Sequence, residues 1–147
     1  MVEMLRIGIA EYEQIRLHGE EAYPNESCGI LLGKFSGDAR IVLAFVRCVN
    51  ARKGSQHNRY SIDPVELVRA QRDARDREQD IVGFYHSHPD HPPQWSSTDL
   101  QEAHWIGCSY VITQVDRGIA AETKAFVLAG KLEDDKLFTE EEIIVGS

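Results

Sequence analysis

The stretch from Ile81 to Asp99, IVGFYHSHPDHPPQWSSTD, decides how the chain is read. Ile81, Val82, Phe84 and Tyr85 are branched or aromatic, which suits a buried strand. His86 and His88 follow at its end. Alternate strand residues share a face about 6–7 Å apart, so both imidazoles can converge on one ion while Ser87 points away. Pro89 is expected to stop the ladder, and Pro92-Pro93 to hold the next loop extended. The loop ends at Ser96-Ser97-Thr98-Asp99, before a helix-like run from Leu100 to Trp105. A short, stiff connection thus returns Asp99 to the histidines. Two nitrogens and a carboxylate with one position open is the donor set of a catalytic zinc. Ser-x-x-Asp also starts helices without any metal, so Ser96 or Ser97 as N-cap, with Asp99 in the first turn, is expected to carry a capping role as well. The joint spacing His-x-His-x7-Ser-x2-Asp favours the metal, because a chain of this composition matches it by chance on the order of once in a thousand.

The rest of the chain narrows the class. At 147 residues it is expected to form one domain, residues 1–147, burying roughly two-thirds of its unfolded surface. The longest wholly apolar run, Ile41 to Val46, is too short to span a membrane. The start shows no basic segment followed by an apolar one, so no secretory signal is expected. Cys28, Cys48 and Cys108 lie far apart with no Cys-x-x-Cys pair and read as buried thiols of a reducing cytoplasm. A net charge of −8 without a dense Lys/Arg cluster argues against nucleic acid as a partner. A neutral or basic protein surface is easier to accommodate.

Leu5–Ile9 reads as a first strand and Ala10–Tyr23 as a helix with Tyr12, Ile15, Gly19 and Ala22 inward. Glu11, Glu13, Arg16 and Glu20 then form a solvated face. Ser27–Phe35 and Ala39–Val49 make a hairpin around Ser36-Gly37-Asp38. Asn50–Asn58 is a loop, and Tyr60–Ile62 is expected to be a short strand. Asp63-Pro64 opens a helix over Val65–Gln79, whose thin inner face (Val65, Val68, Ala74) is expected against one sheet edge. Cys108–Val115, Ala121–Leu128 and Leu137–Val145 are further strands. The fold class is α/β (α+β): a curved, mixed, mostly antiparallel sheet flanked by helices.

His86-Ser87-His88-Pro89 with Ser96 and Asp99 resembles the signature of the JAMM (MPN-plus) zinc metallopeptidases. Pro24-Asn25-Glu26-Ser27-Cys28-Gly29-Ile30-Leu31-Leu32-Gly33 resembles their upstream segment, with Glu26 where that family has its glutamate. Asn58-Arg59-Tyr60-Ser61-Ile62-Asp63-Pro64 is similar to a segment of the small prokaryotic branch. The resemblance covers essentially the whole chain and implies a cytidine-deaminase-like MPN/JAMM fold. It implies Zn2+ on His86, His88 and Asp99, Glu26 as general base and then acid, and the Ser96 hydroxyl as a second contact to the carbonyl oxygen. It also implies a peptidase or isopeptidase that cuts after the C-terminal Gly-Gly of a ubiquitin-like protein. The short chain is closest to compact members acting on ubiquitin-like sulfur carrier proteins in the cytoplasm.

The alternative is a metal-free MPN scaffold serving as an interaction module, which the presence of every ligand and Glu26 argues against. A zinc nucleobase deaminase would carry a glutamate two residues after its histidine and a Pro-Cys-x-x-Cys pair, and neither occurs. A DNA-repair-associated branch shares the His-x-His-Pro loop, but the N-terminal helical region usual there is not expected from these residues, and the acidic charge does not favour it. His91 breaks the family spacing and is expected at the surface, while His57 and His104 lack partners at useful spacing. Cys28, beside Gly29, reads as a small buried side chain and not as a nucleophile. Asn50 and Tyr60 either line a substrate channel or are structural.

Overall fold

The computed structural model describes residues 3–146. Met4–Gly8 (β1) buries Leu5 and Ile7 and exposes Arg6, the alternation of a half-buried strand. Ile9–Ala22 (α1) follows directly and buries Ile15 and Gly19. Cys28–Ser36 (β2) and Ala39–Cys48 (β3) form the expected hairpin, turning at Gly37, whose φ of +59° suits a residue without a side chain. Pro64–Asp76 (α2) opens as read: Pro64 takes the first turn, and the Asp63 side chain accepts the Val65 N–H at 2.8 Å. Asp80–Pro89 (β4), Ser97–Glu102 (α3), Ser109–Asp116 (β5), Ile119–Ala129 (β6) and Leu137–Gly146 (β7) complete the order.

The strands close on themselves in the order β1-β3-β2-β4-β5-β6-β7, with β1 pairing β7. The β2–β3, β2–β4, β5–β6 and β6–β7 pairings are antiparallel, so the sheet is mixed and mostly antiparallel as expected. β1 is parallel to both its neighbours, and β4 is parallel to β5. Helix α1 packs against β1 and β3–β7, where Ile15 joins a core of Leu5, Leu31, Val42, Tyr85 and Val111. The opposite face carries a second core, in which Ile30, Phe84, Ile112 and Leu128 meet Ala70 and Ala74 of α2. Among the described residues no helix is long and apolar enough to cross a membrane.

Several local expectations change. Tyr60–Ile62 is irregular, not a strand, and its backbone groups go to Asn50 and Ala51 instead of a ladder. Val65 and Val68 are exposed. The buried face of α2 is Ala70 and Ala74 with half-buried Leu67, three positions that share a helical stripe. The helix rests on β2 and β4, since a closed sheet offers no edge. Arg16 and Glu20 are not simply solvated: Arg16 Nη1 donates to the Ala121 carbonyl and Thr123 Oγ1, both at 2.7 Å. Glu20 accepts the Ala120 N–H at 2.8 Å, so these two residues tie α1 to β6. Pro89 does not end the ladder, because it still pairs with Val115 of β5. The Asp90 N–H points to β5, so Pro89 lacks its N–H on the opposite side, which β2 has already left. Helix α3 starts at Ser97 and ends at Glu102, leaving Trp105 outside it.

Closure depends on a buried ion pair that spans β1. Arg40 of β3 meets Glu141 of β7 through Nη2 at 3.0 Å and Nε at 3.3 Å. The same Nη2 reaches Glu3 at 2.7 Å and the Met4 carbonyl at 3.4 Å. Arg40 and Glu141 are each 5% exposed, so water cannot replace either partner. Arg40→Ala strands a carboxylate and should cost about 3–5 kcal/mol, whereas Arg40→Met with Glu141→Leu should recover most of that loss. Urea unfolding of the wild type, the single variant and the double variant checks both outcomes.

Candidate metal centre

β4 runs parallel to β5, so the chain must travel back along the sheet between them, and residues 90–108 make that return. The return passes the C-terminal end of β4, where His86 and His88 stand on one face and Ser87 on the other. It then starts α3, whose cap sets the third residue. Ser96 Oγ accepts the Asp99 N–H at 3.0 Å, and Asp99 Oδ2 accepts the Ser96 N–H at 2.9 Å. This reciprocal pair is a capping box, and it fixes the Asp99 carboxylate as well as the helix start.

The donors of His86, His88 and Asp99 all lie within 4.8 Å of one another. His86 Nε2 and His88 Nε2 are 3.2 Å apart. Asp99 Oδ1 is 3.3 Å from His86 Nε2, and Oδ2 is 3.1 Å from His88 Nε2. His88 Nδ1 lies 2.9 Å from the Pro92 carbonyl, which can only accept. A neutral His88 therefore carries its proton on Nδ1 and turns the Nε2 lone pair toward the cluster, the second contact common to metal-bound histidines. Burial holds His86 below its ordinary value. Where neither ring carries a second proton, the contact between His88 Nε2 and Asp99 Oδ2 sets lone pair against lone pair. A cation removes that conflict. The spacings of 3.1–3.3 Å match the edge, about 3.3 Å, of a tetrahedron with metal–nitrogen bonds of about 2.0–2.1 Å. The residues fit the metal that their types suggest.

Glu26 reaches the cluster through the antiparallel pairing of β2 and β4. Cys28 pairs with His86, so two residues earlier Glu26 stands opposite His88 on the same face. It is 4% exposed, and its Oε1 has no hydrogen-bond partner among the described residues. Burial, then the charges of Asp99 and Glu102, push its carboxyl up to about 9. Its backbone is pinned at both ends: the N–H donates to the Gln56 carbonyl at 2.7 Å, and the carbonyl accepts from Asn50 Nδ2 at 3.2 Å.

Other contacts were not legible in the motif. Ser87, wholly buried between the two histidines, turns its Oγ the other way and accepts the Ser27 N–H at 2.8 Å, holding the residue next to Glu26. Gly29 is required beside it, because a Cβ there would strike the ring of Tyr85. Asn50 satisfies all four of its side-chain valences: Nδ2 donates to the Glu26 and Arg59 carbonyls, and Oδ1 accepts the Arg52 and Ser61 N–H groups. It is thus a structural hub. Tyr60 stacks on His86, with centroids 4.6 Å apart and planes at 25°. On its far side opens a cavity of about 310 Å³ walled by Tyr60, Phe84, Trp105, Tyr110, Arg52 and Glu102. Its apolar wall joins Phe84 of β4 and Tyr110 of β5 to Tyr60 and Trp105, which lie outside the strands.

The remaining candidates stand aside. His91 and His57 are exposed, and His104 pairs at the surface with Glu133 at 2.8 Å. Cys28 is wholly buried, and burial raises its thiol far above its ordinary value, so no thiolate nucleophile is available. Cys48 and Cys108 are likewise buried free thiols.

Known proteins are similar to this chain over most of its length. A solved structure from Salinibacter ruber is 37% identical and superposes with a TM-score of 0.72 over 97% of this chain and 92% of its own. One from Desulfitobacterium hafniense is 30% identical, with a TM-score of 0.82 over 98% of this chain and 94% of its own. A protein of Haloferax volcanii named desampylase is 38% identical over 98 residues, which is 67% of this chain and 68% of the relative. Residues 10–128 match the family described as prokaryotic homologs of the JAB domain. That match spans every element from α1 to β6, including the histidines and the acid that face them, and the chain belongs to this family.

Proposed function

We propose that the chain is a zinc-dependent metallopeptidase or isopeptidase. Its proposed substrate is a ubiquitin-like protein, of the sulfur carrier kind, cut after the C-terminal Gly-Gly. The observation that carries this reading is the convergence of His86, His88 and Asp99 with a buried, unpartnered Glu26 oxygen beside them. The name of the Haloferax relative, desampylase, is that of an enzyme that removes a modifier, and it supports the substrate class. His86, His88 and Asp99 would hold the metal. Bound zinc supplies Lewis acidity and acidifies water toward neutral pH.

The chain's own residues do the rest. Glu26 takes a proton from the attacking water and delivers it to the leaving amine. Its carboxyl sits where ionisation is costly without a cation, so it is primed to accept a proton. Ser96 Oγ accepts one hydrogen bond, from the Asp99 N–H, and keeps its own proton free to donate to the carbonyl oxygen as charge develops there. A Gly-Gly tail lacks side chains and can lie close to the buried histidines, where bulkier residues could not.

The direct test is intact-mass analysis of a ubiquitin-like sulfur carrier extended beyond Gly-Gly, incubated with the zinc-loaded protein. Trimming to the Gly-Gly end should vanish on chelation, and Glu26→Gln should lower kcat by about 10²–10⁴-fold with zinc still bound. Zinc bound without trimming would discard this substrate class. Absence of both would support the interaction-module reading.

Ser96→Ala should lower kcat by about 10²-fold for the lost donor and cost about 1 kcal/mol for the lost cap. Kinetics and thermal melting separate the two effects.

Glu26 also makes the stability of the metal-free protein depend on pH. Its folded value is raised above the unfolded one, so the folded state holds the extra proton between about pH 4.5 and 9. Stability therefore falls as pH rises through that window. Glu26→Gln should stabilise the metal-free protein at pH 7 by on the order of 3 kcal/mol, from about 1.36 kcal/mol for each pH unit above the unfolded value of 4.5. The gain should shrink to near zero by pH 4.5, as read from melting curves in chelator.

A further inference from the structure

The two histidines of the cluster are not held in the same way. His88 is oriented by a hydrogen bond, from Nδ1 to the Pro92 carbonyl at 2.9 Å. His86 has no such bond: it is 2% exposed, and its Nδ1 finds no partner among the described residues. A ligand histidine ordinarily relies on that second nitrogen to fix its ring. What His86 has instead is a ring lying flat against it. Tyr60 stacks on the imidazole at 4.6 Å and 25°, while on the other side the His88 ring approaches at 5.0 Å.

Tyr60 sits in an irregular segment, yet the segment is pinned on both sides of it. Asn50 Nδ2 holds the Arg59 carbonyl at 3.0 Å, and Asn50 Oδ1 holds the Ser61 N–H at 3.1 Å. The Ala51 N–H holds the Ser61 carbonyl at 2.8 Å. The same Asn50 amide holds the Glu26 carbonyl at 3.2 Å, so the ring and the carboxylate are registered by one side chain. The Tyr60 hydroxyl makes no hydrogen bond to the protein among the described residues. The ring, not the hydroxyl, is the working part.

We infer that Tyr60 is a positioning residue for the metal: its stacked ring, clamped by Asn50, sets the plane of His86 in place of the missing Nδ1 hydrogen bond. The inference rests on the metal-site reading above, and its test does not need a substrate. Wild-type protein, Tyr60→Phe, Tyr60→Leu and Tyr60→Met are titrated with Zn2+ against a chelating indicator, and the Co2+-loaded forms are compared by visible absorption. Tyr60→Phe keeps the ring and should bind like the wild type with the same Co2+ spectrum. Tyr60→Leu and Tyr60→Met keep an apolar wall but lose the plane, and should bind zinc about 10–100-fold more weakly with an altered Co2+ spectrum. Circular dichroism and melting identify a variant that fails to fold, in which case the other apolar variant carries the result. Leucine or methionine variants that match the wild type in affinity and spectrum overturn the inference. So does a Phe variant as weak as they are, which would place the effect in the hydroxyl. A wild-type protein that binds neither Zn2+ nor Co2+ overturns the metal site itself and is distinguishable from both.

Discussion

β4 is paired in opposite senses on its two sides, and the candidate site depends on that asymmetry. On one side the antiparallel ladder with β2 matches Cys28 to His86, which brings Glu26 opposite His88. On the other side the parallel ladder with β5 forbids a tight turn and forces a long return. That return is what carries Asp99 to the histidines. An antiparallel partner in β5's place would have allowed a hairpin after Pro89, with no Pro92 carbonyl to orient His88 and no capping box to aim Asp99. The donor set is therefore a consequence of topology as much as of residue choice.

The same reasoning explains why the scaffold is closed. A half-buried sheet with free edges at β3 and β7 would present unpaired backbone to solvent and to other chains. β1 fills that gap by pairing with both, and the Arg40–Glu141 contact crosses it. A buried ion pair is weak evidence of stability, because desolvation offsets most of its attraction. It is better evidence of register. Only one alignment of β1, β3 and β7 puts the guanidinium against the carboxylate and the Met4 carbonyl together.

Most of the fold was legible because most elements obey a single period. The strands of the two hairpins and the stripe of α1 are recognisable from alternation or three- and four-residue spacing, and their bounds fall within a residue or two of those read. The convergence of His86, His88 and Asp99 was legible because their spacing is local, within the fourteen residues from His86 to Asp99. Closure was not, since a parallel contact between β1 and β7 joins the two ends of the chain and leaves no local mark. The inner face of α2 was read rightly at Ala74 but wrongly at Val65 and Val68, whose hydrophobicity drew the stripe off the positions, Leu67 and Ala70, that pack on β2 and β4. Segment 59–62 was misread for a related reason. Tyr-Ser-Ile alternates like a strand, but Asn50 takes up the backbone groups that a neighbouring strand would have used.

The middle residue of His86-Ser87-His88 shows how closely the two levels are joined. In a strand, consecutive side chains serve opposite faces, so a His-x-His pair necessarily leaves one position looking away from the ion. Here that position is a serine whose hydroxyl accepts the Ser27 N–H at 2.8 Å, while the Ser87 N–H donates to the Ser27 carbonyl at 3.3 Å. β2 is only beginning at this point, and Ser27 lies before its first residue. A purely apolar side chain at 87 would leave a buried N–H unpaired just where Glu26 must be held still. Helix α1 comes close over the same spot because Gly19 has no Cβ to press against Ser87 and Val115. Three adjacent residues thus present the candidate donors on one face and tie down the segment bearing Glu26 on the other. A motif that looks like two ligands and a spacer is, in three dimensions, a joint between both halves of the site.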